Sequence, residues 1–241
     1  MSYPMVHLSA AWLMLEQGFP VPSRADFLLG ATAPDAIHYR PGDYTSDWKL
    51  YSHYGCENLE EIDEKWGYVT KMAPWIARVQ RAAQAVDPAA PDASFRMGYF
   101  VHILTDGWNN TAVWTPFRES LGGTFDRETY KLYGNECRDV DYVLYVRHPH
   151  AAEIFRLLGE AQAFGIDDHI RASEVEALRD SLLHERFLPR PVPDVSQNRY
   201  FRLEDAEGFI RDAAAYAREK LQSARTSPSA ADSVCRGPRN A

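Results

Sequence analysis

Apolar residues recur at helical spacing along almost the whole chain, and the two-residue alternation of a half-buried strand is nearly absent. The pattern predicts a first helix over 5–17 (MVHLSAAWLMLEQ), stopped by Gly18 and Pro20. A short helix follows over FLLGAT, entered through Ser23 three residues before Asp26 in the manner of a capping box and ended by Pro34. Further helices are predicted at 57–73, at 74–86 with Pro74 in its first turn, at 93–108 and at 126–147. Three more are expected at 149–164, 173–186 and 204–224. Residues 35–55, rich in Pro, Gly, Tyr and Asp, read as an irregular loop, as does the Pro-rich stretch 187–200. The segment ASFRMGYFVHILTDGW is the most apolar of all and so belongs at the centre. The expectation is an all-α chain with one multi-helix domain over residues 1–225 and an aperiodic, disordered tail over 226–241.

With 45% hydrophobic residues in 241, the chain has ample material for a full core. A net charge of −8 argues against a groove that binds polyanions by bulk charge, so no bulk nucleic-acid surface is expected. Cys56, Cys137 and Cys235 are too few and too scattered for a disulfide framework or a Cys-rich zinc module. No leader-like segment opens the sequence and no apolar run is long enough to span a membrane, so the expected placement is cytoplasmic. Oligomeric state stays open.

Chemistry concentrates in the first half. His102 and Asp106 stand four residues apart in the most apolar helix, which stacks them on one face about 5–6 Å apart between Cβ atoms. Such a pair is suited to converge on one ion, or to hydrogen-bond internally. His7 lies among small and apolar neighbours and faces inward, where a satisfied core histidine is the common alternative. Asp35 follows Pro34, either as a turn residue or as a carboxylate pointing back at the core, and His53 sits in a tyrosine-rich stretch. Taken together, three imidazoles and two carboxylates without a thiolate suit a catalytic zinc or another first-row divalent metal.

The order of these residues, His7, FLLGATAPDAI with Asp35, His53 and GYFVHILTD, resembles the zinc-dependent phospholipase C family. That family is all-α and related to the zinc-dependent single-strand nucleases. The likeness covers roughly residues 3–147 and is closest to an intracellular bacterial branch of hydrolases, in which a Tyr-x-x-Glu-Cys-x-x-x-Asp helix follows; here that is Tyr133, Glu136, Cys137 and Asp141. The resemblance implies a zinc site between buried helices, with His7, Asp35, His53, His102 and Asp106 as metal ligands. Asp35 would also orient or deprotonate the attacking water. Secreted members add the mature N-terminal amine and a later His-x-x-x-Glu. Here six residues precede His7, and Glu153 follows His148 and His150 at the wrong spacing, so one or two Zn2+ ions are expected rather than three. Glu136 is a replacement ligand, with Asp139 as an outside candidate; a solvated helix face is the alternative for both and is favoured for Asp139. Asn109 and Asn110 supply supporting hydrogen bonds, contact substrate, or mark the end of the helix. His38 is a ligand, a substrate contact or a loop histidine, the last being favoured.

The expected activity is metal-assisted hydrolysis of a small-molecule phosphoester, with Asp35 catalytic and His38 and Asn110 at the substrate. A divalent ion would let an acidic protein accept an anion. The rivals are a non-catalytic helical protein with a structural metal and an HD-type phosphohydrolase. The second needs an adjacent His-Asp pair, and none of the eight histidines is followed by Asp. The acidic run 57–65 (ENLEEIDEK) reads as a solvated helix face rather than a partner-binding module.

Overall fold

Helix α5 (Ala93–Asn109) is buried on nearly every side, with only Arg96 and Trp108 reaching toward solvent. A helix without a polar face must be enclosed by others. In the computed structural model, which describes residues 3–55, 72–122 and 126–226, α1 (Pro4–Glu16), α2 (Arg24–Gly30), α4 (Met72–Gln84) and α10 (Leu203–Thr226) surround it. The remaining elements are α3 (Ser46–Ser52), α6 (Thr115–Ser120), α7 (Arg127–Arg147), α8 (Ala151–Glu160) and α9 (Ala172–Ser181). No strand occurs among the described residues; an isolated bridge joins Ile166 and Ile170. The protein is all-α. No helix is long and apolar enough to cross a membrane among the described residues.

The deepest helix contact is α2 against α5, and two glycines permit it. A Cβ on Gly30 would lie 2.1 Å from the carbonyl oxygen of Phe95, and one on Gly98 would lie 2.0 Å from that of Phe27. Backbone therefore rests on backbone. Ser23 opens α2 as the sequence predicts, its hydroxyl accepting from the Asp26 amide at 3.2 Å.

Helix α1 has no side-chain cap of its own. Asp141 on α7 supplies one from a distance, Oδ1 accepting from the Met5 amide at 2.8 Å. Burial pushes this carboxyl up to about 7, opposed by Arg186 and by the amides at the start of α1. A raised carboxyl pKa favours the protonated folded state, so this stabilisation is complete below the usual carboxylate range and is lost as pH rises through about 7. Asp141→Asn keeps the acceptor and removes the ionisation. Its melting temperature is expected to gain on that of the native chain as pH goes from 5 to 8, and equal shifts at both pH values would contradict this.

The structure corrects the reading of 35–55 as an irregular loop. Residues Ala33–Tyr39 form a 3-10 helix with Pro34 in its first turn, and Ser46–Ser52 form α3. Pro34 thus starts an element rather than only ending one. The predicted helix 173–186 is α9 followed by a π-type turn over Leu182–Arg186, and the one predicted at 149–164 ends at Glu160. The helix expected at 57–73 falls outside the described residues up to 71, as do Cys56, Cys235 and the tail from 227 onward.

Candidate metal centre

Four elements bring five side chains to one place. Helix α1 carries His7, the 3-10 helix carries Asp35, the end of α3 carries His53, and α5 carries His102 and Asp106. His7, His53 and His102 are all at most 2% exposed. The His7 and His102 rings stack 3.6 Å apart and 7° from parallel, and His53 meets His102 edge-on at 5.2 Å.

The turn that presents His53 is a Schellman motif. The Gly55 amide donates to the Leu50 carbonyl at 2.7 Å and the Tyr54 amide to that of Tyr51 at 3.0 Å. Tyr54 takes the left-handed position (φ 58°) where glycine is usual. Stacking on His169 at 4.3 Å helps hold it there. The carbonyl of His53 accepts from the Trp75 indole at 2.6 Å, and the Tyr99 hydroxyl donates to the Ser52 carbonyl.

Hydrogen bonds set which imidazole nitrogen faces the centre. Nδ1 of His102 donates to the Ala31 carbonyl at 2.9 Å, because a carbonyl can only accept. The Ser52 hydroxyl spends its one proton on the Lys49 carbonyl and so accepts from Nδ1 of His53 at 2.9 Å. In both residues Nε2 is left as a bare lone pair turned inward, the arrangement that metal-ligating histidines adopt. Burial pushes His53 down to about 4 and His7 well below the usual imidazole value, so both stay neutral. Burial raises the carboxyls of Asp35 and Asp106, yet neighbouring positive charge, Lys49 included, outweighs it and holds both below the usual carboxylate range. Neutral imidazoles with ionised carboxylates form the donor set that a divalent cation requires.

The spacing fits the same purpose. Nε2 of His53 stands 3.5 Å from Asp35 Oδ1 and 3.5 Å from Asp106 Oδ2, and Nε2 of His7 lies 3.6 Å from Asp106 Oδ1. His102 Nε2 is 3.9 Å from an oxygen of each carboxylate. These gaps are too long for hydrogen bonds, and Nε2 of all three histidines is buried without a partner, as is Nδ1 of His7. Such orphaned polar atoms are costly in an interior. Ligands about 2.0–2.1 Å from one tetrahedral ion stand about 3.3–3.4 Å apart, close to what is found here. Two overlapping groups, His7 with Asp35 and His102, and His53 with His102 and Asp106, keep their ligand atoms within 4.8 Å of one another. Their donor chemistry fits a divalent first-row metal.

The centre forms part of the wall of a cavity of about 590 Å³ that also takes in Tyr3, His38, Tyr44, Lys49, Asn110 and Arg186. His38 and Asn110 therefore border the space next to the centre, His38 packed against the Tyr44 ring at 4.6 Å. Asn110 opens a π-type turn (Asn110–Trp114) directly after α5, and its buried Nδ2 has no partner; nor has that of Asn109. π-turns of this kind recur at functional sites.

Glu136 is placed elsewhere. Its carboxylate accepts from the amides of Arg199, Tyr200 and Phe201 at 2.7–3.0 Å, bracing the chain that leads into α10. The amides engage both of its oxygens, so it is a buried structural acid and no part of the centre. Asp139 is exposed and pairs with Arg190 at 3.5 Å, as its surface reading predicts. The residue that the sequence reading missed is Lys49, whose Nζ lies 2.9 Å from Asp35 Oδ1. It precedes His53 by four residues and so shares its helix face, a signal hidden by reading the segment as loop.

No protein-family model matches the chain, and no curated protein or solved structure matches it significantly.

Proposed function

We propose that the protein is a metal-dependent phosphoesterase whose centre is formed by His7, Asp35, His53, His102 and Asp106, holding one or two Zn2+-type ions. One observation carries this reading: buried, unpartnered imidazole nitrogens converge with two carboxylates at the wall of an open cavity rather than in a closed shell. A structural metal site is closed by protein ligands, so the open wall favours catalysis over the structural alternative. When bound, such an ion supplies a Lewis acid that makes water nucleophilic near neutral pH and offsets charge on phosphoryl oxygens.

The chain's own residues divide the remaining work. Asp35 has a quarter of its side chain exposed, so one carboxylate oxygen is available to orient a water and take its proton. Lys49 holds Asp35 in place and adds positive charge where a phosphoryl oxygen would rest. Asn110 carries an amide donor that lacks a partner and borders the same space. At the centre itself Asp35 and Asp106 carry one charge more than the Lys49 ammonium offsets, and a divalent ion would reverse that sign, which is how an acidic protein would admit an anion. The reading keeps a small-molecule phosphoester as substrate and a cytoplasmic setting.

Elemental analysis of protein purified without chelator or metal-binding tag tests it. One or two first-row divalent ions per chain are expected. Hydrolysis of bis(p-nitrophenyl) phosphate or p-nitrophenyl phosphate should vanish on chelation and return with Zn2+. Protein without stoichiometric metal, or fully loaded protein inert toward both esters, would overturn the proposal.

A further inference from the structure

Arg186 stands out from every other charged group around the cavity. It ends the π-type turn Leu182–Arg186 and is exposed, in a protein of net charge −8. No carboxylate among the described residues lies within ion-pair distance of it. Glu185, next in the chain, is engaged by the Ser181 hydroxyl at 2.9 Å. Asp141 feels its charge but turns its carboxylate to the Met5 amide. What holds Arg186 is an aromatic face: its guanidinium lies 5.7 Å from the centre of the Tyr3 ring. Tyr3 is itself fixed, its hydroxyl donating to the Gly134 carbonyl at 3.0 Å. An aromatic platform leaves the guanidinium's in-plane N–H donors unsatisfied by protein, in the geometry that receives a carboxylate or phosphate.

Arg186 borders the cavity that contains the imidazole and carboxylate cluster, but it forms no ion pair with Asp35 or Asp106. Its charge is felt instead at Tyr3 and His38. Tyr3, Leu178 and Tyr39, which line the same cavity, supply apolar surface to lie against the body of a ligand. A volume of about 590 Å³ exceeds what a lone phosphate group needs and falls in the range of small-molecule sites. The same side chain also borders a second, more open hollow of about 800 Å³ beside Asp141, so it is reached from solvent as well.

We propose that Arg186, seated on Tyr3, is a second anion subsite, and that the cavity's ligand carries an oxyanion in addition to the phosphoester held at the His/Asp centre. The inference rests on the phosphoesterase reading for the identity of the first group alone. The ligand class is an organic phosphate with a second carboxylate or phosphate on a short carbon skeleton. A simple monoester would leave Arg186 without a partner, and the cavity would then discriminate poorly between charged and uncharged tails.

Titration calorimetry of zinc-loaded protein with non-hydrolysable probes tests this. 3-Phosphonopropionate and 6-phosphonohexanoate are each compared with the alkylphosphonate of equal length, and an alkane-1,6-bisphosphonate shows whether the second group is better as phosphate than as carboxylate. At least one doubly charged probe is expected to bind about 10-fold or more tightly than its uncharged-tail partner, the strength of one charge-assisted contact. Arg186→Met is expected to erase that difference and leave the alkylphosphonates unchanged, while Arg186→Lys keeps part of it. Equal affinity of every probe pair in the native chain, no binding at all, or a preference that survives Arg186→Met would overturn the subsite. Because the probes are not hydrolysed, the two proposals fail separately. A preference in protein that hydrolyses no phosphoester removes the enzymatic reading alone, and hydrolysis without preference removes the subsite alone.

Discussion

Asp106→Ala is expected to lower metal affinity by more than about 100-fold, beyond the usual cost of disturbing a supporting partner of a ligand. Its carboxylate faces all three imidazoles, Oδ1 toward His7 and Oδ2 toward His53 and His102. Among the described residues no other carboxylate comes within ion-pair distance of all three, and its loss opens a gap in the His53, His102 and Asp106 group beside the one that holds Asp35. Bound metal also stabilises the folded state in proportion to its affinity, by about 4 kcal/mol at a thousand-fold excess over the dissociation constant. The native chain should therefore melt at higher temperature with Zn2+ than with chelator, whereas the variant should melt alike in both. Asp106→Asn preserves the shape and separates charge from packing; it should resemble the alanine variant in metal content but melt higher without metal. Full metal occupancy in Asp106→Ala would reduce Asp106 to a structural acid.

Gly98→Ala is expected to cost stability at or above about 3 kcal/mol, the upper range for overpacking, with Gly30→Ala, whose Cβ would lie 2.1 Å from the Phe95 carbonyl oxygen, close to it. The added Cβ would lie 2.0 Å from the Phe27 carbonyl oxygen in α2 and 2.8 Å from the nitrogen of Ala31, which caps that helix, both backbone atoms that no rotamer change can move. The helices would have to separate. Since the Ala31 carbonyl orients His102, their separation should also weaken metal binding by about 10–100-fold. Gly107→Ala is the control on the same helix: its nearest contact, at 3.1 Å, is the flexible end of the Ile76 side chain rather than backbone. Denaturant midpoints and metal content of the two variants give the comparison. A midpoint for Gly98→Ala close to that of Gly107→Ala would show that the α2–α5 contact is looser than described.

How much of this was legible depended on what kind of signal each element leaves. Helices α1, α5, α7 and α10 announce themselves because a long buried stripe needs a long periodic pattern. The 3-10 helix Ala33–Tyr39 and the seven-residue α3 leave almost none. One has three residues per turn rather than 3.6, the other is largely half-exposed, and Pro34 reads as a terminator although it is well suited to a first turn. That misreading concealed Lys49, which matters only once α3 sets it on the face of His53.

Glu136 shows the opposite failure. A carboxylate on an inward helix face looks the same in sequence whether it meets a metal or a loop. Here its partners are three amides more than sixty positions further along the chain. Backbone donors carry no residue signature, so no spacing rule reveals them.

The all-α class, the central place of the ASFRMGYFVHILTDGW helix and the pairing of His102 with Asp106 follow from local pattern, because helical periodicity and i to i+4 stacking are properties of neighbouring residues. Tertiary structure alone decided that His7, Asp35 and His53 join that pair, that His102 turns Nε2 inward, and that Lys49 and Arg186 border the same space. Those outcomes rest on the close crossing of α2 and α5 and on hydrogen bonds to the carbonyls of Ala31 and Gly134, contacts between distant segments whose geometry exists only after the chain has packed.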